Sequence, residues 1–232
     1  MKSKQTVIYG ILILFMFFGM TITAIAAPKM EITEDEFAFG IAPQHARVSH
    51  VFWIKSTGDD TLKITKVEPG CGCTKAPLDK TVLAPGDSTR LEVIFSTRNY
   101  NGKVTKAPKI HTNASEKRSM VRIYSTVIPK PDTTTPIVIM PYKLNVSKRF
   151  MKAGDKISFA IKNVSDKSLG MKIIDQPDGY WGLNIPDKIE AGQTIQIAMT
   201  ANDAAVASHY TKSFTIELDD EAGTRFSVPV KR

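Results

Sequence analysis

Cysteine is nearly absent from this 232-residue chain: Cys71 and Cys73 are the only two, with Gly72 between them. A fold of this length cannot rest on so few thiols, and one Cys-x-Cys without a second pair falls short of the four ligands zinc usually takes. Blocks of like charge are missing too. The formal net charge is +8, yet the lysines are scattered, and the pairs Lys117-Arg118, Lys148-Arg149 and Lys231-Arg232 are broken up by acidic or apolar neighbours. No basic stripe with interleaved aromatics emerges, which argues against nucleic acid as a partner. Nucleophile motifs of the G-x-S-x-G type, Walker loops and H-E-x-x-H are absent, and His45, His50, His111 and His209 stand alone. Neither an enzyme nor a cofactor is therefore expected.

After Pro28 no useful stretch carries a helical period. What is there instead is alternation. HVFWIKS sets His50, Phe52 and Ile54 against Val51, Trp53 and Lys55; RLEVIFS puts Leu91, Val93 and Phe95 on one face. RIYSTVI, KISFAIK, TIQIAMT and SFTIELD repeat the pattern with Ile123, Ser125 and Val127, then Ile157, Phe159 and Ile161, then Ile195, Ile197 and Met199, then Phe214, Ile216 and Leu218. Short period-two runs between Gly, Pro, Asn and Asp predict antiparallel strands with one buried face. The fold class is all-β, and Trp53 and Trp181 are expected to fill or border cores. Asp219-Asp220-Glu221 before Gly223 reads as a hairpin turn.

The first residues concern destination. Lys2 and Lys4 precede an uncharged run from Gln5 to Pro28, and Ala24 and Ala26 fit a signal-peptidase pattern with cleavage before Ala27. Residues 1–26 read as a signal peptide. The run is also long enough to span a bilayer, so an uncleaved anchor is the alternative, and membrane association is expected only through it. No cysteine near the site supports a lipid anchor. Either way the rest of the chain is delivered outside the cytoplasm, to a periplasmic or secreted location.

PKPDTTTP, residues 129–136, reads as a stiff, extended linker. It separates residues 30–128 from residues 137–232, each about the size of one immunoglobulin-like sandwich. The two parts resemble each other. FWIKSTGDDTL from Phe52 aligns with FAIKNVSDKSL from Phe159 at an offset of 107; LAPGDS from Leu83 aligns with IEAGQT from Ile189, and TKAPKIHTN from Thr105 with TKSFTIELD from Thr211, both at 106. Register held over three blocks predicts a duplicated domain, hence two tandem immunoglobulin-like β-sandwiches. Gly86 and its counterpart Gly192 mark equivalent turns. The same offset sets Asp178-Gly179-Tyr180 against Cys71-Gly72-Cys73, keeping Gly72 as a turn glycine while both thiols vanish.

Phe37-Ala-Phe-Gly40, IKSTGDDTLKI, CGCT, LAPGDS, IFSTRNYNGK and IHTN follow in that order. This succession resembles the bacterial Hydin-like (ASH-type) immunoglobulin-fold family with the Cys-Gly-Cys-Thr motif, a group labelled as a domain of unknown function. The likeness covers Phe37 to Thr126. Ser56 stands where Asn is usual, and the second copy lacks the motif, so only its fold carries over. The resemblance implies an exported seven-stranded sandwich without enzymatic activity.

Three readings of Cys71 and Cys73 stand open: a disulfide, a soft-metal site, and packed free thiols. A bridge closing so short a loop stabilises by only about 1.6 kcal/mol in the chain-entropy model. A redox role needs a nearby cation, and Lys75 is the neighbour in sequence. A copper site needs a histidine such as His45, His50 or His111 brought alongside. The leading expectation is an exported, non-enzymatic interaction or envelope-structural module whose partner is a protein or cell-envelope component. A thiol-based redox or copper-handling protein is the alternative.

Overall fold

The computed structural model describes residues 26–114, 118–146, 151–207 and 209–232, so almost all of the expected signal segment lies outside the described residues. Strands dominate. In chain order they are β1 (Met30–Ile32), β2 (Glu36–Pro43), β3 (Arg47–Ser56), β4 (Leu62–Glu68), β5 (Thr74–Lys75), β6 (Val82–Leu83), β7 (Ser88–Ser96), β8 (Gly102–Lys106), β9 (Lys109–Thr112), β10 (Arg118–Met120) and β11 (Arg122–Ile128). There follow β12 (Ile137–Met140), β13 (Leu144–Asn145), β14 (Lys156–Asn163), β15 (Leu169–Asp175), β16 (Trp181–Gly182), β17 (Lys188–Ile189), β18 (Thr194–Ala201), a short helix α1 (Asp203–Ala207), β19 (Thr211–Leu218) and β20 (Arg225–Lys231).

The architecture is an all-β, immunoglobulin-like sandwich arrangement with two hydrophobic cores. One is built from residues between Phe37 and Val127, the other from residues between Ile137 and Val230. Alternation decides which side chains enter them: His50, Phe52 and Ile54 of β3 are buried, while Trp53 and Lys55 face out. Trp181 is buried, but Trp53 is 47% exposed, which corrects its expected place at a core. It lies on the outward phase of its strand.

The same ladder is built twice. In the first half the strands run β1-β3-β7-β5, with Phe52 opposite Leu91 and Thr74 opposite Phe95. In the second they run β12-β14-β18-β16, with Phe159 opposite Ile197 and Trp181 opposite Ala201. The halves differ at Pro108, which takes the position of Phe214. Proline has no N–H for a ladder, and the strand breaks there: β8 pairs with β11 and β9 with β4. Phe214 sits instead inside an unbroken β19, which pairs with β15 on one side and β20 on the other.

The halves are joined through a shared sheet of order β17-β15-β19-β20-β2-β11-β8, with Ile41 of β2 opposite Phe226 of β20 in parallel. Small hydroxyls line this seam. Ser49 N–H donates to Ser213 Oγ (2.9 Å), which donates back to the Ser49 carbonyl (3.1 Å). Ser227 Oγ donates to the Phe39 carbonyl (2.8 Å), and the buried Tyr142 hydroxyl to the Ile41 carbonyl (2.7 Å). Lys212 Nζ reaches both Glu92 oxygens at 2.7 Å. Gly40 makes the close approach. It sits in a β-bulge of β2 at φ 65°, where a Cβ would overlap the backbone of Arg225.

Residues 129–136 are not the extended linker that their prolines suggest. Pro131–Thr133 form a 3₁₀ turn, and the buried Thr134 hydroxyl lies 2.6 Å from the Ile137 carbonyl oxygen that accepts its hydrogen bond. Threonine hydroxyls can satisfy carbonyls locally, which lets the segment fold back and bring the halves together.

Candidate functional site

Strand β4 ends at Glu68, whose carboxyl is held below the ordinary carboxylate range by a hydrogen bond from Lys66, with His111 adding to the effect. The chain then turns through Gly70, at φ 85°, into Cys71-Gly72-Cys73. Strand β5 follows at once and is anchored on β7: Thr74 lies opposite Phe95, and Ser96 N–H donates to the Cys73 carbonyl (2.8 Å). This anchoring presses Cys73 into the first core beside Phe95 and leaves Cys71 at its partly exposed margin.

Cys71 and Cys73 are joined as a disulfide, with their Cα atoms 5.3 Å apart. A bridged pair carries no S–H, so the Thr74 hydroxyl between them is the donor, 3.5 Å from Cys71 Sγ and 3.7 Å from Cys73 Sγ. Two residues that sequence proximity did not single out complete the surroundings. Tyr100 Oη donates to Cys73 Sγ (3.3 Å), and Lys106 Nζ donates to Tyr100 Oη (3.2 Å) while lying 4.7 Å from its ring centroid. The cation brought to the sulfurs is thus Lys106, by way of Tyr100, and not the sequence neighbour Lys75.

Tyr100 is held by the turn after β7. Its N–H donates to the Thr97 carbonyl (2.9 Å), and its own carbonyl accepts from Gln44 Nε2 (2.6 Å). Thr97 is fully buried and donates to the Pro43 carbonyl (2.8 Å). Both residues lie within the IFSTRNYNGK stretch, so the sequence contained them without showing what they face.

The glycines divide. Gly86 and Gly192 occupy left-handed backbone, at φ 84° and 70°, each in a turn where a side chain would be strained. Gly72 lies in the turn between the cysteines but outside the left-handed region, and a Cβ there would meet nothing within 4 Å. Neither conformation nor space requires glycine at 72. The left-handed residue of that turn is Gly70, which corrects the role expected of Gly72.

The histidines considered as extra ligands are engaged elsewhere or lie apart. His50 stacks on Phe37 (centroids 3.7 Å apart, planes 4° apart), with Nδ1 3.2 Å from Asp175 Oδ2. That approach is not aligned as a hydrogen bond, so the stacking is its better-defined contact. His111 Nε2 lies 3.4 Å from Glu68 Oε2. His45 sits at the corner before β3, with its N–H on the Arg98 carbonyl (3.0 Å). Among the described residues no three His, Cys, Asp or Glu side chains form a group that could hold a metal ion, and no helix is long and apolar enough to cross a membrane.

In the second half an aromatic group takes the place of the bridge. Tyr180 packs edge-on against Tyr210 (4.9 Å) and Trp181 (6.0 Å), and Lys212 Nζ lies 5.2 Å from the Tyr180 ring centroid. Burial pushes the Tyr210 hydroxyl up to about 12.

No curated protein matches the chain by sequence. A protein of unknown function from Porphyromonas gingivalis W83 is similar in structure over 87% of this chain and 98% of its own, at 12% identity and a TM-score of 0.36. The ASH / PapD-like domain 7 of human CEP192 is similar over 47% of this chain and 92% of its own, at 8% identity and a TM-score of 0.38. The YadV chaperone is similar over 88% and 99%, at 9% identity and a TM-score of 0.31. Residues 30–127, the half that carries the Cys71–Cys73 bridge, match the family described as a protein of unknown function (DUF1573).

Proposed function

We propose that this chain is an exported, non-enzymatic interaction module made of two immunoglobulin-like domains, acting in the cell envelope on a protein or envelope component. The observation that carries the reading is the shared sheet. A seam of buried hydroxyl hydrogen bonds sets the two halves in one orientation, and their common sheet ends at the free edge of β8. An edge strand held on such a platform can accept a partner strand through its backbone groups. Affinity capture of the exported protein from its own envelope fraction, followed by hydrogen exchange on the recovered complex, tests this. Slowed exchange across Gly102–Lys106 is the expected result. Unchanged exchange there, together with measurable turnover of a substrate, would overturn it.

A second reading is favoured by one observation, the Tyr100 hydroxyl on Cys73 Sγ with Lys106 behind it. In thiol exchange, a thiolate of an external dithiol attacks Cys71 Sγ, and the Cys71–Cys73 bond breaks with its electron pair leaving on Cys73 Sγ. Tyr100 stabilises that thiolate. The second thiol of the dithiol, on losing its proton, attacks the mixed disulfide and releases Cys71 as a thiolate, so two electrons have passed to this chain. A hydrogen bond to a charged group is worth about 1.5–3 kcal/mol, so Tyr100→Phe should require roughly tenfold more dithiothreitol to reduce the bridge. An unchanged requirement sinks the redox reading. The copper variant would need the reduced thiols first.

A further inference from the structure

Part of the chain's positive charge is answered locally. Lys66 pairs with Glu68, Arg90 with Asp79, Arg122 with Glu36, Lys188 with Glu190 and Lys212 with Glu92. One group is not. His45, Arg47 and Arg98 of the first half and Lys143 and Lys231 of the second line a single groove of about 530 Å³ where the halves meet. Asp and Glu are absent from its lining, and among the described residues none of the five forms an ion pair.

The groove is built by the fold and is not a chance gathering of surface lysines. His45 and Arg98 both hold left-handed backbone, at φ 54° and 33°, which L side chains rarely adopt. The His45 N–H is tied to the Arg98 carbonyl (3.0 Å), so the two corners are fixed against each other. Across the groove Lys143 Nζ donates to the Gln44 carbonyl (3.3 Å), which draws the second half's cation toward the first half and leaves two of its N–H groups free. The buried Leu144 and Pro229 form part of the wall. Like charges converging in a concave surface with low-dielectric walls focus their field outward, and an anion entering relieves their mutual repulsion.

The geometry points to a binding site for a ligand bearing clustered phosphate groups. Two arginine forks suit the planar pairs of oxygens on a phosphate, and the lysines supply point charges beside them. The groove's volume admits more than one such group with the atoms that link them. Both halves contribute, so the site exists only while they are joined.

Calorimetry on the full exported chain tests it with two probes: inorganic tripolyphosphate in solution, and phosphatidylcholine vesicles containing roughly a third phosphatidylglycerol. Binding is expected, weakening as salt is raised. Arg47→Glu with Arg98→Glu, and separately Lys143→Glu with Lys231→Glu, should each lose about tenfold or more in affinity. Lys55→Glu with Lys80→Glu makes the same change in net charge at exposed positions outside the groove, and should stay within about twofold. Circular dichroism confirms that each variant is folded. Binding of tripolyphosphate alone assigns a soluble ligand, and binding of vesicles alone assigns a lipid headgroup; either supports the site. No binding of either probe overturns it, and so does equal loss in all three double variants, which would reduce the effect to net charge.

Discussion

Gly40→Ala should part the two halves. At φ 65° an alanine costs about 1–2 kcal/mol in backbone strain alone. The new Cβ would also overlap the Arg225 carbonyl group, with the carbonyl carbon at 2.5 Å and the Arg225 Cβ at 2.5 Å. Backbone on a paired strand cannot step aside as a flexible side chain can, so β2 and β20 must separate. Separation breaks the Ser227–Phe39 and Tyr142–Ile41 hydrogen bonds, each worth about 1 kcal/mol net and more where the carbonyl stays buried without a partner. The sum is about 3–5 kcal/mol, concentrated at the seam.

Differential scanning calorimetry reads this directly. The parent should melt in one cooperative transition, because neither half can lose its edge without exposing the other. Gly40→Ala should resolve two transitions, the first lowered by about 6–20 °C at the 2–4 °C per kcal/mol typical of chains this long. Gly86→Ala is the control. Gly86 is left-handed too, at φ 84°, but a Cβ there meets nothing within 4 Å, so only the strain applies and the single transition should persist. If Gly40→Ala melts like Gly86→Ala, in one transition with a similar shift, the close approach to Arg225 is not what holds the halves together.

Replacing Cys71 and Cys73 by serine together should leave the fold intact and cost about 1–3 kcal/mol, from loop entropy and the loss of Cys73 packing, measured by urea denaturation; failure to fold would make the bridge structural. Tyr210→Phe should be neutral or slightly stabilising at pH 7, because the buried hydroxyl finds no partner among the described residues. Burial pushes its hydroxyl up to about 12 in the fold against an ordinary 10, so the fold's stability is undiminished by this group below pH 10 and falls as pH rises from there through about 12. The variant should flatten that alkaline decline in a melting-temperature series. Glu217 behaves oppositely. A hydrogen bond from Lys172, followed by one from Arg225, holds its carboxyl low, so its contribution is present above the ordinary carboxylate range and is lost as pH falls through the lowered value. Glu217→Gln should remove part of the acid sensitivity in the same series.

Period two made the cores legible. Phe52, Leu91, Phe159, Ile197, Phe214 and Ile216 are all buried where alternation places them, because one face of each strand must leave water whatever lies opposite. The seam was hidden for the same reason. Ser49, Ser213, Thr215 and Ser227 occupy the phase that alternation assigns to solvent, yet all four are buried because the other half covers them. The trace that could have shown it is the middle of the outer face of β20, where Ser227 and Pro229 stand uncharged between Arg225 and Lys231. At the site, Cys71 and Cys73 announced themselves, whereas Tyr100 reaches Cys73, and Lys106 reaches Tyr100, only because the chain turns after β7, which pairs with β5, and continues into β8. Such contacts depend on tertiary folding and have no local pattern.

The seam follows from one unequal pair of strands. In the first half β2 runs beside β11 from Glu36 to Pro43 and covers that edge along its length. Its counterpart in the second half, β13, is two residues long and covers β20 only at Val230 and Lys231. The rest of β20's edge, around Phe226, would stand open as a template for pairing, and β2 fills it with its own outer edge. Two copies of an equal unit would have no reason to join this way, since each would close its own edge. The shortness of β13 therefore creates the seam, and with it the groove lined from both halves. It also leaves β8, with Lys103 and Lys106 on it, as the end of the shared sheet in the first half. Lysines on an edge discourage indiscriminate strand addition, so a partner that pairs there must bring complementary charge.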